Sequence, residues 1–176
     1  RTVQAAVFES DARMILTEGL AYDRCAVGIV TDMDGLDTLG DLHIEDMDAM
    51  ANVIRAQVDV IMSDGAAVLN AAVEEVAELA VLSDGEVIFY GEDAALPAIE
   101  EHRAGGHRAV FLRDGAIVLA EGGDETALLA LSALKPATAA FPGAVLAAAA
   151  ATWALGMEPG LIAAGLRTFD ASPAGH

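Results

Sequence analysis

Apolar residues in this chain gather in short unbroken runs, set apart by polar stretches rich in carboxylates. The runs VQAAVFE (3–9), CAVGIVT (25–31), AAVLN (66–70) and EVIFY (86–90) are the clearest. Continuous apolar runs of this length fit strands covered on both faces. Between them the period changes. Ile44, Met47, Met50, Ala51, Ile54 and Val58 recur at steps of three and four, while Asp46, Asp48 and Arg55 fall elsewhere, which predicts a helix over 44–60. MILTEGL (14–20) reads as a loop or short helix, and AAVEEVAELAVL (71–82) has a helix-length pattern. Two copies of SDG, at 63–65 and 83–85, predict turns into the strands that follow them. Strands alternating with helices argue for an α/β fold: a mostly parallel sheet flanked by helices and joined by right-handed crossovers.

The pattern changes after residue 105. HRAVFL (107–112) and AIVLAEG (116–122) flank Asp114-Gly115, and Asp-Gly between β-prone runs predicts an antiparallel hairpin near 107–122. The last third reads as helices over 143–156 and 159–167. In the first of these, Val145, Leu146, Ala149, Trp153 and Leu155 form an apolar face. A lone Trp in an alanine-rich helix is expected as a core anchor, mostly buried against the sheet, rather than as a ligand platform. No repeat and no Pro-, Gly- or Ser-rich linker divides the chain, so residues 1–176 are expected to form a single domain. A start at a non-Met residue beside a strand, and a Gly/Pro-containing tail, suggest part of something larger.

Composition narrows the function. Hydrophobic residues are 55% of the chain, which argues against disorder, and no apolar run reaches a membrane-spanning length. The longest, AVLAAAAATWALG (144–156), reads as a buried helix. The start carries no secretory leader pattern. Cys25 lies within an apolar run and reads as a small buried hydrophobe, which favours a reducing, cytoplasmic location. The 28 acidic residues against nine basic ones give a formal charge of −19. Such a surface repels nucleic acid and anionic membranes. Solubility or adaptation to salt explains the charge blandly; a basic partner surface would explain it functionally.

The acidic stretch TDMDGLDTLG (31–40) follows a strand-like run, and ligands gather beyond the C-terminal ends of strands in open α/β sheets. Asp32, Asp34, Asp37 and Asp41 thus sit where a hard cation is bound in such folds, but a charge run of this kind is more often a solvated loop, and no metal ligand is assigned among them. A Ca²⁺ loop counted from Asp32 fails, because Asp37 stands where Gly is needed and His43 where Glu is needed. Zinc spacing fails too: His43 has no His or Cys neighbour, and His102 with His107 is an isolated pair. Neither GxxxxGK[ST] nor GxGxxG occurs, and Lys135 is the chain's one lysine. A phosphate cradle of the Walker kind cannot be assembled from these residues alone.

Four stretches carry a family resemblance: VFESDARMILTEGLAYDRCAVGIVTDM (7–33), AAVLNA (66–71), GGHRAVFLRDGAIVLAEGG (105–123) and LAAAAATWALGMEPGLIAAGLRTF (146–169). Together they resemble the Mur-ligase-like ATPase module of cyanophycin synthetase. The resemblance implies the later two-thirds of a Mur-ligase central domain, without the upstream P-loop and the C-terminal lobe. It also implies kinship with enzymes that use ATP and Mg²⁺ to condense aspartate and arginine through acyl phosphates. Glu9 matches the family's acidic Mg²⁺ ligand and is the catalytic candidate.

Elsewhere this sequence departs from the family. The family's Thr-Ala-Arg-Gly-Gly is Ser10-Asp11-Ala12-Arg13-Met14, and its Thr-Asn is Thr31-Asp32. Asp-His-Leu-Gly becomes Asp37-Thr38-Leu39-Gly40, and the lysine of the next helix falls on Ala51. Asn-Ala-Asp-Asp becomes Asn70-Ala71-Ala72-Val73, and Asn-x-Glu-Asn falls on Phe141, Pro142, Gly143 and Ala144. Framework kept and chemistry removed points to a non-catalytic Mur-ligase-like domain with a structural or interaction role, binding no cofactor itself and meeting a protein partner or another copy. The alternative is a fragment of an ATP-dependent amino-acid ligase, completed by other segments or a partner.

Overall fold

The computed structural model describes residues 5–172. A mixed sheet of six strands, in spatial order β1 to β6, runs through the molecule. β1 (Cys25–Val30), β2 (Ile61–Asn70), β3 (Glu86–Gly91) and β4 (Arg108–Arg113) are mutually parallel. β5 (Ala116–Glu121) and β6 (Asp124–Ala130) close the far side antiparallel. The α/β expectation therefore holds, and so does the hairpin. Asp114 at φ 51° and Gly115 at φ 74° form its turn, both in the left-handed region that a two-residue hairpin loop favours.

Pleat alternation sorts the strand residues between two cores. Leu69, Phe89 and Phe111 face one layer of helices: α1 (Ala12–Glu18), α2 (Met47–Ile54), α3 (Ala56–Asp59), α4 (Glu74–Glu78) and α5 (Pro97–Ala104). Their neighbours Val68, Ile88 and Val110 face α7 (Pro142–Ala154) and α8 (Pro159–Thr168), with the short α6 (Pro136–Ala139) leading into α7. The alanines of α7 allow it to lie close to the sheet, and Ala149 and Ala150 are fully buried. Around β4 the few cations are used structurally. Glu125 pairs with both Arg103 and Arg113, whose guanidinium groups each lie over the buried Phe111 ring, at 5.0 and 5.1 Å from its centroid.

Several expectations need correction. The helix expected over 44–60 begins at Met47, where Asp46 caps it by accepting from the Ala49 N–H at 2.8 Å, and it tightens at Arg55 into α3. The pattern over 71–82 yields only α4 and a 3₁₀ turn over Leu79–Leu82. SDG at 63–65 is not a turn. It lies within β2, whose register against β1 shifts between Cys25 and Val27. A Cβ at Gly65 would meet the Ala26 carbonyl oxygen at 2.4 Å, so glycine here permits close strand approach. The second SDG does precede its strand as a turn.

Of the run 3–9, residues 5–9 form no strand, and residues 3 and 4 lie outside the described residues. The apolar pattern suits a strand, but no ladder partner engages it among the described residues, and Val7 is 93% exposed. β6 and α5 were not foreseen. Trp153 is half-buried rather than mostly buried: it packs at the margin of the α7 core with Arg108 over its ring at 4.7 Å. Cys25 is likewise half-buried, and that burial pushes its thiol pKa up.

Candidate functional site

The loops beyond the C-terminal ends of β1, β2 and β3 converge at one end of the sheet. After Val30 the chain turns on its own side chains. Thr31 Oγ1 donates to Asp32 Oδ2 at 2.7 Å, and the Asp34 N–H donates to Asp32 Oδ1 at 3.1 Å. Asp32 therefore organises its own loop, as Asp often does at turns. Gly35 at φ 87° opens a 3₁₀ turn over Leu36–Thr38, and Thr38 Oγ1 donates to the Gly35 carbonyl at 2.7 Å. Leu39 and Met33 are buried below and anchor the loop to the core.

Asn70, at the end of β2, holds this end together. Its side-chain amide donates to the Thr31 carbonyl at 2.8 Å and accepts from the Ala72 N–H at 3.0 Å. An open depression of about 650 Å³ lies over the loop, lined by Met33, Asp34, Leu36, Asp37, Ile44 and Glu45 among others.

Arg13 reaches this loop from α1. Its guanidinium meets Asp41 through both carboxylate oxygens, at 2.7 and 3.0 Å, and donates to the Thr38 carbonyl. The two-point hydrogen bond holds the Asp41 carboxyl below its ordinary pKa and raises that of Arg13. Arg13 stands where the resembled family has the first of its paired glycines. The sequence reading registered only the loss of glycine; a lone cation in an acidic stretch was the available signal.

Tyr90, at the end of β3, was also missed. It is 2% exposed, and burial, with Asp32 nearby, pushes its phenol pKa up to about 12.

The expected site residues are only partly brought together. Asp32, Asp34, Asp37 and Asp41 share the loop end, yet all are solvent-exposed. Glu9 is exposed in the irregular segment before α1. Among the described residues, no three His, Cys, Asp or Glu side chains are grouped to hold a metal ion. Phe141 and Pro142 begin α7 with no side-chain cap at its N-terminus, and Ala51 is half-buried on α2. His102 and His107 stack at 4.7 Å, with His102 Nε2 bonded to the Val87 carbonyl at 2.9 Å, far from this loop in role and partners. This donor set does not fit a Mg²⁺–nucleotide: no three of these side chains gather on one point among the described residues, and the Arg13 guanidinium is committed to Asp41.

No family model matches the chain. It is similar to the cyanophycin synthetase of Crocosphaera subtropica, at 35% identity over 176 residues that cover 97% of this chain and 20% of that protein. The cyanophycin synthetase of Synechocystis sp. is 33% identical over 177 residues, with the same two shares. That of Nostoc sp. is 31% identical over 176 residues, 97% of this chain and 19% of the relative. The chain thus spans about a fifth of the length of the curated relatives it matches. These similarities tie it to one segment of the cyanophycin synthetases. Among the described residues, no helix is long and apolar enough to cross a membrane.

Proposed function

We propose that this chain is a segment of an ATP-dependent, amide-bond-forming ligase of the cyanophycin-synthetase kind. The observation that carries the reading is similarity along 97% of the chain to one portion of such enzymes. The parallel sheet with its loops at one end suits that role. On this reading the condensation of aspartate and arginine, with ATP and Mg²⁺, draws its phosphate-binding residues from outside these 176.

A second, finer reading has its own observation in Arg13. A guanidinium bonded to Asp41 and to the Thr38 carbonyl puts a cation at the loop end where the resembled family places metal ligands. Fixed positive charge there opposes a divalent cation. The segment then serves the ligase as framework and interaction surface rather than as nucleotide site.

Two measurements test these readings. Exchanged for the corresponding segment of the Synechocystis enzyme, the chain should give a hybrid that folds cooperatively; a hybrid that fails to fold overturns the ligase reading. Titration calorimetry of the chain with MgATP should show no saturable binding up to millimolar ligand. A dissociation constant in the low micromolar range, or polymer formation by the hybrid, overturns the framework reading.

A further inference from the structure

We infer that the outer face of α7 and α8 is a self-association surface, through which two copies of this chain meet about a two-fold axis. The distribution of charge singles this face out. Residues 136–169 hold one of the 28 acidic residues, Glu158, and one of the nine basic ones, Arg167, so the whole formal charge of −19 lies elsewhere. Large apolar side chains stand open in the same stretch: Phe141 and Leu161 are each 63% exposed, and Phe169 and Leu155 are more than half exposed. Single exposed apolar residues need no explanation, but an uncharged face that gathers several of them marks a contact surface.

The face is shaped as well as apolar. A groove of about 160 Å³ is lined by Ala144 and Ala148 of α7, by Leu166 of α8, and by Phe141 and Phe169, which bound the helix pair in sequence. Its wall is fixed before any partner arrives. The buried Thr138 donates from Oγ1 to the Phe169 carbonyl at 3.1 Å and accepts from the Ala171 N–H at 3.2 Å, which pins the chain leaving α8. A preformed wall lowers the ordering cost of association. On α8, Leu161, Ala164, Gly165 and Thr168 recur at helical spacing and are all exposed, so they form one outward stripe. Two α8 helices packed antiparallel and centred on Ala164-Gly165 set Leu161 of each copy opposite Thr168 of the other, next to Phe169 and its groove. The contact is therefore self-complementary, as a two-fold interface requires.

Charge selects a second copy over other partners. A basic partner is drawn to the carboxylates of the other faces and gains nothing here. Two copies that approach by any other face set carboxylates against carboxylates, whereas this face keeps them apart. The area suffices for a reversible dimer. At about 150–250 Å² for an aromatic side chain, the open parts of Phe141, Phe169, Leu155 and Leu161 offer on the order of 500 Å² per copy. Two copies then bury about 1,000 Å², the low end of specific interfaces, which suits a micromolar dissociation constant rather than a permanent dimer. The inference goes beyond the ligase reading and is tested without nucleotide, so either can fail alone.

The test is sedimentation equilibrium of the 176-residue chain, of Leu161→Asp and Phe141→Asp, and of Val81→Asp, which puts the same charge on a residue 87% exposed outside this face. The weight-average mass of the parent should rise from 18.0 kDa towards about twice that value between roughly 1 and 500 μM protein. Raising salt from about 0.05 to 0.5 M should tighten the dimer, because salt screens the repulsion between two acidic copies. A dimer that salt weakens is held by ion pairs and overturns the proposal. L161D and F141D should each raise the dissociation constant at least about tenfold while the Tm stays within a few degrees of the parent, and V81D should leave it unchanged. A parent that stays monomeric at about 500 μM overturns the proposal and leaves the face to a different partner. So does a dimer that L161D and F141D both leave intact.

Discussion

Replacing Gly65 with alanine tests how the two SDG segments hold the parallel strands together. A Cβ at Gly65 would stand 2.4 Å from the Ala26 carbonyl oxygen and 3.0 Å from that of Met62. Both are backbone atoms, Ala26 on the paired strand β1 and Met62 on β2 itself, so neither can swing aside as a side-chain end does. The next layer is equally tight: a Cβ at Gly85 would meet the Gly65 oxygen at 2.5 Å. Relief at Gly65 thus requires β1 and β2 to separate, or the Gly65 peptide to press on Gly85. Overpacking of a well-filled site costs about 1–3 kcal/mol. With rigid backbone on both sides the upper end applies, and about 3 kcal/mol is expected. For a domain of this size that corresponds to a Tm lower by roughly 6–12 °C.

The control is Gly40→Ala, where nothing lies within 4 Å of the added carbon. A change there should be near neutral, or slightly stabilising through the unfolded chain. Both variants and the parent would be compared by calorimetric and urea unfolding. A Gly65→Ala midpoint within error of Gly40→Ala would refute the close approach, and with it the assignment of 63–65 to a bulged strand.

Two further outcomes follow from side-chain environments. Trp153→Ala should lower stability by about 2 kcal/mol in urea unfolding, less than a fully buried aromatic because the ring is half-buried, with part of the loss arising from the Arg108 contact at 4.7 Å; a loss under about 0.5 kcal/mol would place the ring outside the core. For His102, burial holds the pKa below the ordinary 6.5, the Val87 carbonyl and Glu86 pull it upward, and the stacked His107 pushes it down. The unfolded chain then binds the proton more readily, so the contribution is complete above 6.5 and is lost as pH falls through that value towards the folded pKa. The Tm should fall between about pH 8 and pH 5, and His102→Gln should flatten that slope; an unchanged slope would remove His102 as its source.

The parts of the fold legible in the sequence were those fixed by local rules. β1, β3 and the β4–β5 hairpin follow from apolar runs and from one Asp-Gly pair, whose positive φ angles are a local property. α7 and α8 each begin with a proline at the first turn and were bounded nearly correctly. What failed depended on neighbours distant in sequence. DETALLA (124–130) reads as polar and charged, yet it pairs with β5, and its Glu125 engages Arg103 and Arg113 from other elements. SDG carries the same local signal twice. At 83–85 it turns; at 63–65 it lies within β2, where the Ala26 carbonyl on the neighbouring strand leaves no room for a Cβ at Gly65.

At the candidate site the division between local and distant cause is sharper. Position along the chain sufficed to put Asp32, Asp34 and Asp37 beyond a strand end, because strand ends and loops are local features. What those carboxylates can do depends on what faces them, and three of the residues that decide it come from elsewhere. Arg13 arrives from α1 to engage Asp41, Asn70 from β2 to engage the Thr31 carbonyl, and Tyr90 from β3 to lie buried near Asp32. Spacing within one segment carries no trace of such meetings. Of these three, the resemblance marks Arg13 alone as altered, and the structure gives that alteration a direction. Where the family has glycine, this chain has a cation bonded to the loop's own carboxylate. Of the loop's carboxylates, Asp41 is thus held by an ion pair to α1, while Asp32 is spent on its own turn.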